Sequence, residues 1–372
     1  MGRKKVSLAA KITALMAAVT LGLSGCASGS ASDTADANSA PKLAPLSELT
    51  PVDNPATYEG PSTVLLPEND LQPLDSKVEQ KLPVTVTSRP PSGESEVTVK
   101  STERIVSLSL TGALSDFIYA YGFGDKIVGA DISTDLPGLD IPVVTQGGHN
   151  VDAESILELN PDLVISDGTV GPIDVIEQLR DAGVAVAFVR SASTYEESFE
   201  QGQQVADVLG VSAMGAELRE FYEAKIEAKI AEIKALVPAD PEKLPRVAFL
   251  YMRGPGVFFL FGKGTGIDTI LDALGAVDVA EEIGWEGHKP MNDEALVAAD
   301  PNLILVMTKG LESVGGVDGM LETHQAVALT DAGERRRIVD APDTRIFSGV
   351  TRAADTLDGL ARAFYAPDSL KG

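Results

Sequence analysis

Cysteine, histidine and tryptophan are nearly missing from this chain of 372 residues, which holds one, three and one of them. A single cysteine has no partner for an intrachain disulfide and builds no cysteine-based zinc site. Three histidines leave few pairings of nucleophile with base. Neither a phosphate-binding glycine loop nor a Gly-x-Ser-x-Gly elbow occurs, so the reading is of a chain that is not an enzyme. Basic residues are scarce as well: 30 Lys and Arg stand against 55 Asp and Glu, a net charge of -25. Polyphosphate repels such a surface, which argues against a nucleic-acid partner and leaves solubility as the plain reading of the charge.

A membrane-spanning run is lacking at the start, where the apolar stretch from Ile12 to Leu23 is about half the length a bilayer requires. Preceded by Arg3, Lys4, Lys5 and Lys11, it has the layout of a signal peptide over residues 1–26. It closes on "LSGC" (23–26), the spacing of a bacterial lipobox, in which the cysteine receives lipid (palmitate) and cleavage falls just before it. Loss of this segment removes four basic residues and no acidic ones, taking the charge from -25 to -29. Attachment to the extracytoplasmic face of the cell membrane then rests on acyl chains at Cys26. From Ala27 to about Gly60 the composition is Ala, Ser, Asp, Thr and Pro, and 61–82 carries only short apolar patches. Residues 27–82 are therefore expected to be a disordered or poorly ordered tether.

Order is expected from "PVTVTS" and "EVTVKS" around "RPPSGES", a β-hairpin. Beyond Arg104, short apolar runs alternate with helical segments, the pattern of an α/β fold. Strands are predicted at 105–110, 127–131, 163–167 and 184–190, then at 246–251, 257–262, 303–307 and in "TRIFSG" (344–349), with helices at 111–121, 152–159 and 265–274. Between the halves, Leu218, Tyr222, Ile226, Ile230, Ile233 and Val237 recur at helical spacing from an N-cap at Ser212 to Pro238. That predicts an inter-lobe helix within 212–238, of roughly 25 residues between cap and proline and about 37 Å long at 1.5 Å per residue. It divides an N-terminal lobe, 83–211, from a C-terminal lobe, 239–372. An internal repeat supports two similar lobes: "ESILELNPDLVI" (154–165) and "EALVAADPNLIL" (294–305) align without a gap. Two such lobes tied by a rigid helix make a cleft, and in open α/β sheets ligands sit beyond the carboxyl ends of the strands.

The lipobox, the stretch "RIVSLSLTGALSDFIYAYGFGDKIVGAD", the repeated Glu-helix-Pro-Asp unit and the long middle helix together resemble the substrate-binding lipoproteins of ABC importers for siderophores, cobalamin and haem, over about residues 96–370. The resemblance implies two Rossmann-like lobes joined by one long helix, of the class III periplasmic-binding-protein type. His149 in "TQGGHN" and Tyr251 with Arg253 in "LYMR" further resemble the haemin-binding, HmuT-type members. That implies ferric haem b as the transported ligand, with His149 and Tyr251 as its axial ligands and Arg253 as a cation donating a hydrogen bond to the phenolate. A neutral imidazole fills one axial position, and an anionic phenolate suits the hard ferric ion at the other. The same fold would serve a ferric siderophore or cobalamin as the alternative cargo.

Other candidates are weaker. His288, in "WEGHKPM", falls one repeat position from the counterpart of His149 and is a possible second ligand; Met291 and Trp285 lie nearby, as core or cleft residues. His324 reads as solvent exposed, and Arg190 and Arg352 as partners for haem propionates. Glu154 and Glu294 occupy matching repeat positions, where the helix dipole favours a carboxylate. The resemblance implies that they dock to arginines of an ABC permease, which works with its ATPase. Rival readings are a lipid-anchored haem-degrading or metal-dependent enzyme and a purely structural surface lipoprotein.

Overall fold

The computed structural model describes residues 43–67, 71–147 and 149–371; the signal-like segment, with Cys26, lies outside them. The N-terminal half opens with an antiparallel hairpin, Val84–Ser88 on Ser95–Val99, in which Val84 faces Val99. Four parallel strands follow: β1 (Ile105–Leu108), β2 (Ile127–Ala130), β3 (Leu163–Ser166) and β4 (Ala185–Phe188), in spatial order β2-β1-β3-β4. Every residue of β1 and β3 is buried, as expected for inner strands covered on both faces, which is why they read as unbroken apolar runs. The covering helices include α1 (Ala113–Ala120), α2 (Ala153–Glu158) and α3 (Tyr195–Val208); α3 starts on a capping box of Thr194 and Glu197.

Helix α4 (Ala213–Lys234) crosses to the second half and packs on both α3 and the C-terminal helix α7 (Val350–Tyr365). Its buried stripe is Leu218, Tyr222, Ile226 and Ile233, on the predicted period. Ser212, however, caps nothing: it is already helical, and its hydroxyl is spent on Asp207 Oδ1 at 2.5 Å. An aspartate five residues upstream offered the hydroxyl a stronger, charged acceptor than the helix's own N–H groups.

In the second half, β5 (Arg246–Arg253) forms a hairpin with β6 (Val257–Phe261), and β7 (His288–Pro290) pairs antiparallel to β6. On its other side β5 lies parallel to β8 (Leu303–Met307), which lies parallel to β9 (Ile338–Ala341). The repeat is realised in space: α2 leads to β3, and α5 (Asp293–Ala299) leads to β8. Both turns pass through a left-handed residue at the same repeat position, Asn160 (φ 46°) and Asp300 (φ 45°). Asn and Asp are the side chains that tolerate this conformation best after glycine.

Two expectations are corrected. "TRIFSG" is no strand: Arg345 and Ile346 donate their N–H to Pro342 O, making a tight turn, and the strand lies earlier, at β9. Nor is the whole of 27–82 a tether. Leu46, Val64 and Leu71 are at most 2 % exposed. Ser62 and Thr63 add a parallel edge to β9, Val52 N–H donates to Tyr365 O, and further on Lys81 N–H donates to Gly210 O. Residues 43–67 and 71–82 thus strap the second half to the first. Their composition misleads because each anchor enters the core singly and the ordering comes from backbone hydrogen bonds to elements formed elsewhere in the chain.

The halves are also joined by charge. Arg352 on α7 grips Asp116 on α1 in a bidentate pair, Nε to Oδ2 at 2.7 Å and Nη2 to Oδ1 at 3.0 Å, with both side chains at most 4 % exposed. Close by, Arg345 Nε meets Asp135 at 3.2 Å.

Candidate functional site

A cleft of about 780 Å³ lies between the halves and draws its lining from both. Its C-terminal wall follows from strand alternation and register. Tyr251 and Arg253 share one face of β5; the residue opposite Tyr251 is Phe259, the residue opposite Phe249 is Phe261, and the residue opposite Phe261 on β7 is His288. Tyr251, Arg253, Phe259, Phe261 and His288 therefore present one surface, and all five line the cleft. Met252, pointing the other way, is buried in a separate apolar cluster with Leu260 and Met291. The wall is aromatic: Phe261 stacks on Tyr251 (5.7 Å between centroids) and on Phe347 (6.0 Å). His288 leans on Phe261 at 5.6 Å.

Arg253 lies against the ring of Tyr251 and is paired with a carboxylate. Its guanidinium carbon lies 4.8 Å from the centre of the phenol ring, over the face, and Nη2 is 2.5 Å from Asp343 Oδ1. Among the described residues no hydrogen bond joins it to the phenol oxygen. Asp343, which sequence reasoning missed, follows β9 and is brought here only by sheet pairing.

The N-terminal wall carries His149, exposed at the tip of a tight turn between the paired residues Thr145–Gln146 and Asn150–Val151. Gly171 N–H donates to His149 O at 3.0 Å and fixes the loop. Leu110 and Ile132, 41 % and 55 % exposed, give this wall an apolar rim. Behind it two carboxylates converge on Ser109. Asp131 accepts the N–H groups of Ser109 (2.9 Å) and Ser133 (2.8 Å), and Asp167 accepts the Ser109 hydroxyl at 2.7 Å. Burial pushes Asp131 up to about 7 and raises Asp167 as well.

The remaining candidates separate cleanly. Trp285, Met291 and Arg190 are not cleft residues; Trp285 donates its indole N–H to Leu260 O, and Met291 is 8 % exposed. Arg352 is committed to Asp116 and cannot serve a ligand in the cleft. His324 is not solvent exposed as expected: its ring stacks on Phe258 at 4.2 Å, and burial pushes its pKa down. Glu154 and Glu294 are exposed in the first turns of α2 and α5, just after the cleft-lining His149 and His288, with Asp152 and Asn292 as the N-caps. Among the described residues no three His, Cys, Asp or Glu side chains converge as a metal site, and no helix is long and apolar enough to cross a membrane.

Residues 105–344, with most of both walls, match the family model described as periplasmic binding protein. The chain belongs to that family. This periplasmic binding protein is 26 % identical over 306 residues to an uncharacterized ABC transporter substrate-binding lipoprotein, YvrC, of Bacillus subtilis, covering 82 % of the chain and 93 % of YvrC. Among solved structures it resembles the heme binding protein HmuT, with 35 % identity, a TM-score of 0.77, and coverage of 84 % of this chain and 99 % of that one. Similar structures include HmuT with a histidine, a tyrosine or an arginine replaced by alanine, the tyrosine and arginine lying two positions apart. A periplasmic heme-binding protein, RhuT from Roseiflexus sp. RS-1, is 36 % identical with a TM-score of 0.63, covering 73 % of this chain and all of that one. The chain is thus a substrate-binding protein of the ABC-transporter type, with two α/β halves and a cleft between them.

Proposed function

We propose that this protein is a lipid-anchored extracytoplasmic receptor that binds ferric haem through His149 and Tyr251 and passes it to an ABC permease and its ATPase. The observation that carries the reading is the half-buried Tyr251, held at a strand end in an aromatic wall, with a histidine on the opposing wall of a cleft of about 780 Å³. A protein-only metal site needs three or four side chains, whereas an iron that brings its own porphyrin needs two, one on each face. Tyr251 and His288 project from the same sheet surface, so they would meet a flat ligand from one side. His149, on the other half, is the donor that reaches the second side. The HmuT variants altered at a histidine and at a tyrosine and arginine with the spacing of Tyr251 and Arg253 support the same assignment.

Lipidation at Cys26 would supply the anchor, in keeping with the lipoprotein relative. Glu154 and Glu294 are the proposed contacts to the permease, one in each half. Leu157 and Val297, one helical turn on and also at matching repeat positions, are 36 % and 37 % exposed. Each glutamate thus has an apolar neighbour on the same helix face, as a paired contact to a two-fold partner requires.

Titration of the purified protein with haemin tests the reading. A Soret shift with a phenolate-to-iron charge-transfer band is expected, and Tyr251→Phe should abolish the band, with affinity falling roughly tenfold or more for loss of a charged ligand. His149→Ala should change the axial spectrum while keeping the phenolate band. A Tyr251→Phe spectrum identical to that of the parent chain would sink the assignment.

A further inference from the structure

The acids and strong bases that line the cleft are almost all spent on other groups of the chain. Asp167 accepts the hydroxyls of Ser109 and Thr169, Arg345 is paired with Asp135, and Arg253 is paired with Asp343. Both oxygens of Asp343 are in use, because Oδ2 accepts the backbone N–H of Lys309 at 2.9 Å. Lys309 is the exception. It is exposed and lines the cleft, yet among the described residues its ammonium group has neither an ion pair nor a hydrogen bond. The backbone beneath it is fixed. Helix α6 (Thr308–Ser313) continues directly from β8 and is pinned to its neighbours: Thr308 donates its hydroxyl to Asp340 of β9 at 2.6 Å, and Gly254, just beyond β5, donates its N–H to the Ser313 hydroxyl at 2.8 Å. Gly310 lets α6 sit this close, since a Cβ there would stand 2.8 Å from Met252 O. Thr344, next to Asp343, also lines the cleft, and its hydroxyl has no hydrogen-bond partner among the described residues.

In a chain of net charge -25, a cation facing a cleft without a partner gives that wall a potential opposite to the surface around it. A lysine head group carries three donors and no acceptor, so an anion is what completes it, and a carboxylate can accept from the ammonium and a neighbouring hydroxyl at once. We propose that Lys309, with Thr344 beside it, is the site that takes a carboxylate of the bound ligand, and that it fixes which edge of a flat ligand lies against α6. This assignment rests on the haem reading of the cleft, in which the carboxylates are the two propionates on one edge of the porphyrin. Axial donors meet the faces of such a ligand and leave its rotation about the iron open; a cation at one point of the wall removes that freedom. The propionate partners expected from the sequence cannot do this, because Arg190 is not a cleft residue and Arg352 is sealed against Asp116.

Haemin and haemin dimethyl ester, in which both propionates are neutral, are titrated into the full chain and into Lys309→Gln and Lys309→Arg. The parent chain should bind haemin more tightly than the ester by roughly three- to tenfold, between the worth of an exposed ion pair and that of a charged hydrogen bond. Lys309→Gln should weaken haemin by about that factor and leave the ester unchanged, and Lys309→Arg should restore most of the difference. The Soret and charge-transfer bands of Lys309→Gln should stay where the parent chain has them, because the groups facing the iron are untouched. Equal affinity of the parent chain for acid and ester, or an equal loss for both in Lys309→Gln, overturns the proposal. The ester comparison standing while Tyr251→Phe leaves the spectrum unchanged supports Lys309 and overturns the axial assignment alone. A parent chain that binds neither ligand overturns the haem reading and the role of Lys309 with it.

Discussion

Tyr251 and Arg253 share a face because they are two apart on a strand, and that much is visible in "LYMR" without a structure. The partner of Arg253 is not, since Asp343 is 90 residues away and arrives through the pairing of β5 with β8 and β8 with β9. Arg352 shows the same limit more sharply: from "SGVTR" it reads as a free cation near the cleft, yet it is sealed against Asp116, 236 residues distant. Removing one member of such a buried pair strands the other charge. Asp116→Asn should therefore lower the unfolding free energy by about 3–5 kcal/mol, measured by urea denaturation. Replacing both residues by apolar ones of similar size should recover much of that loss, because the desolvation cost of the pair disappears with it.

At the scale of elements, periodicity is a sound guide wherever one face is buried. It placed the stripe of α4 and the strands β1, β3, β5 and β8, whose apolar runs have no other place to go. It failed for residues 43–67 and 71–82, where the apolar residues are spaced irregularly and bury themselves one at a time. If this segment is a strap, Leu46→Ala or Leu71→Ala should each cost about 2–5 kcal/mol of stability, as for any core truncation. If it were a tether, the denaturation midpoint would not move. "TRIFSG" failed for the converse reason: Ile346 and Phe347 are apolar because one is buried and the other lines the cleft, not because they lie on a strand.

The behaviour of the whole molecule with pH follows from its buried carboxylates. Asp131 is raised from 3.8 to about 7 by burial, so between those values the folded chain keeps a proton that the unfolded chain has lost. Its contribution to stability is full below about pH 4 and is lost as pH rises through about 7. Asp131→Asn, which never carries the charge, should therefore gain on the parent chain as pH increases over this range, read as the difference in urea midpoints at pH 5 and 8. A difference independent of pH would contradict it. For docking, Glu154→Arg with Glu294→Arg should abolish haem uptake by cells while leaving haemin affinity unchanged, and Leu157→Asp with Val297→Asp should act in the same direction. An equal loss of haemin affinity would instead place these residues in the ligand site.

Local order in the chain determined a good deal by itself: alternation, the 12-residue unit that recurs between 154–165 and 294–305, and the sharing of a face by Tyr251 and Arg253 are consequences of spacing, and spacing is written in the sequence. Only the tertiary structure decided which charges are spent on one another. Arg352 went to Asp116, Arg253 to Asp343, and His324 to the face of Phe258. The physical reason is that an ion pair or a ring stack forms between whichever groups the fold brings within a few ångströms in a medium of low dielectric, and separation along the chain places no restriction on which those are.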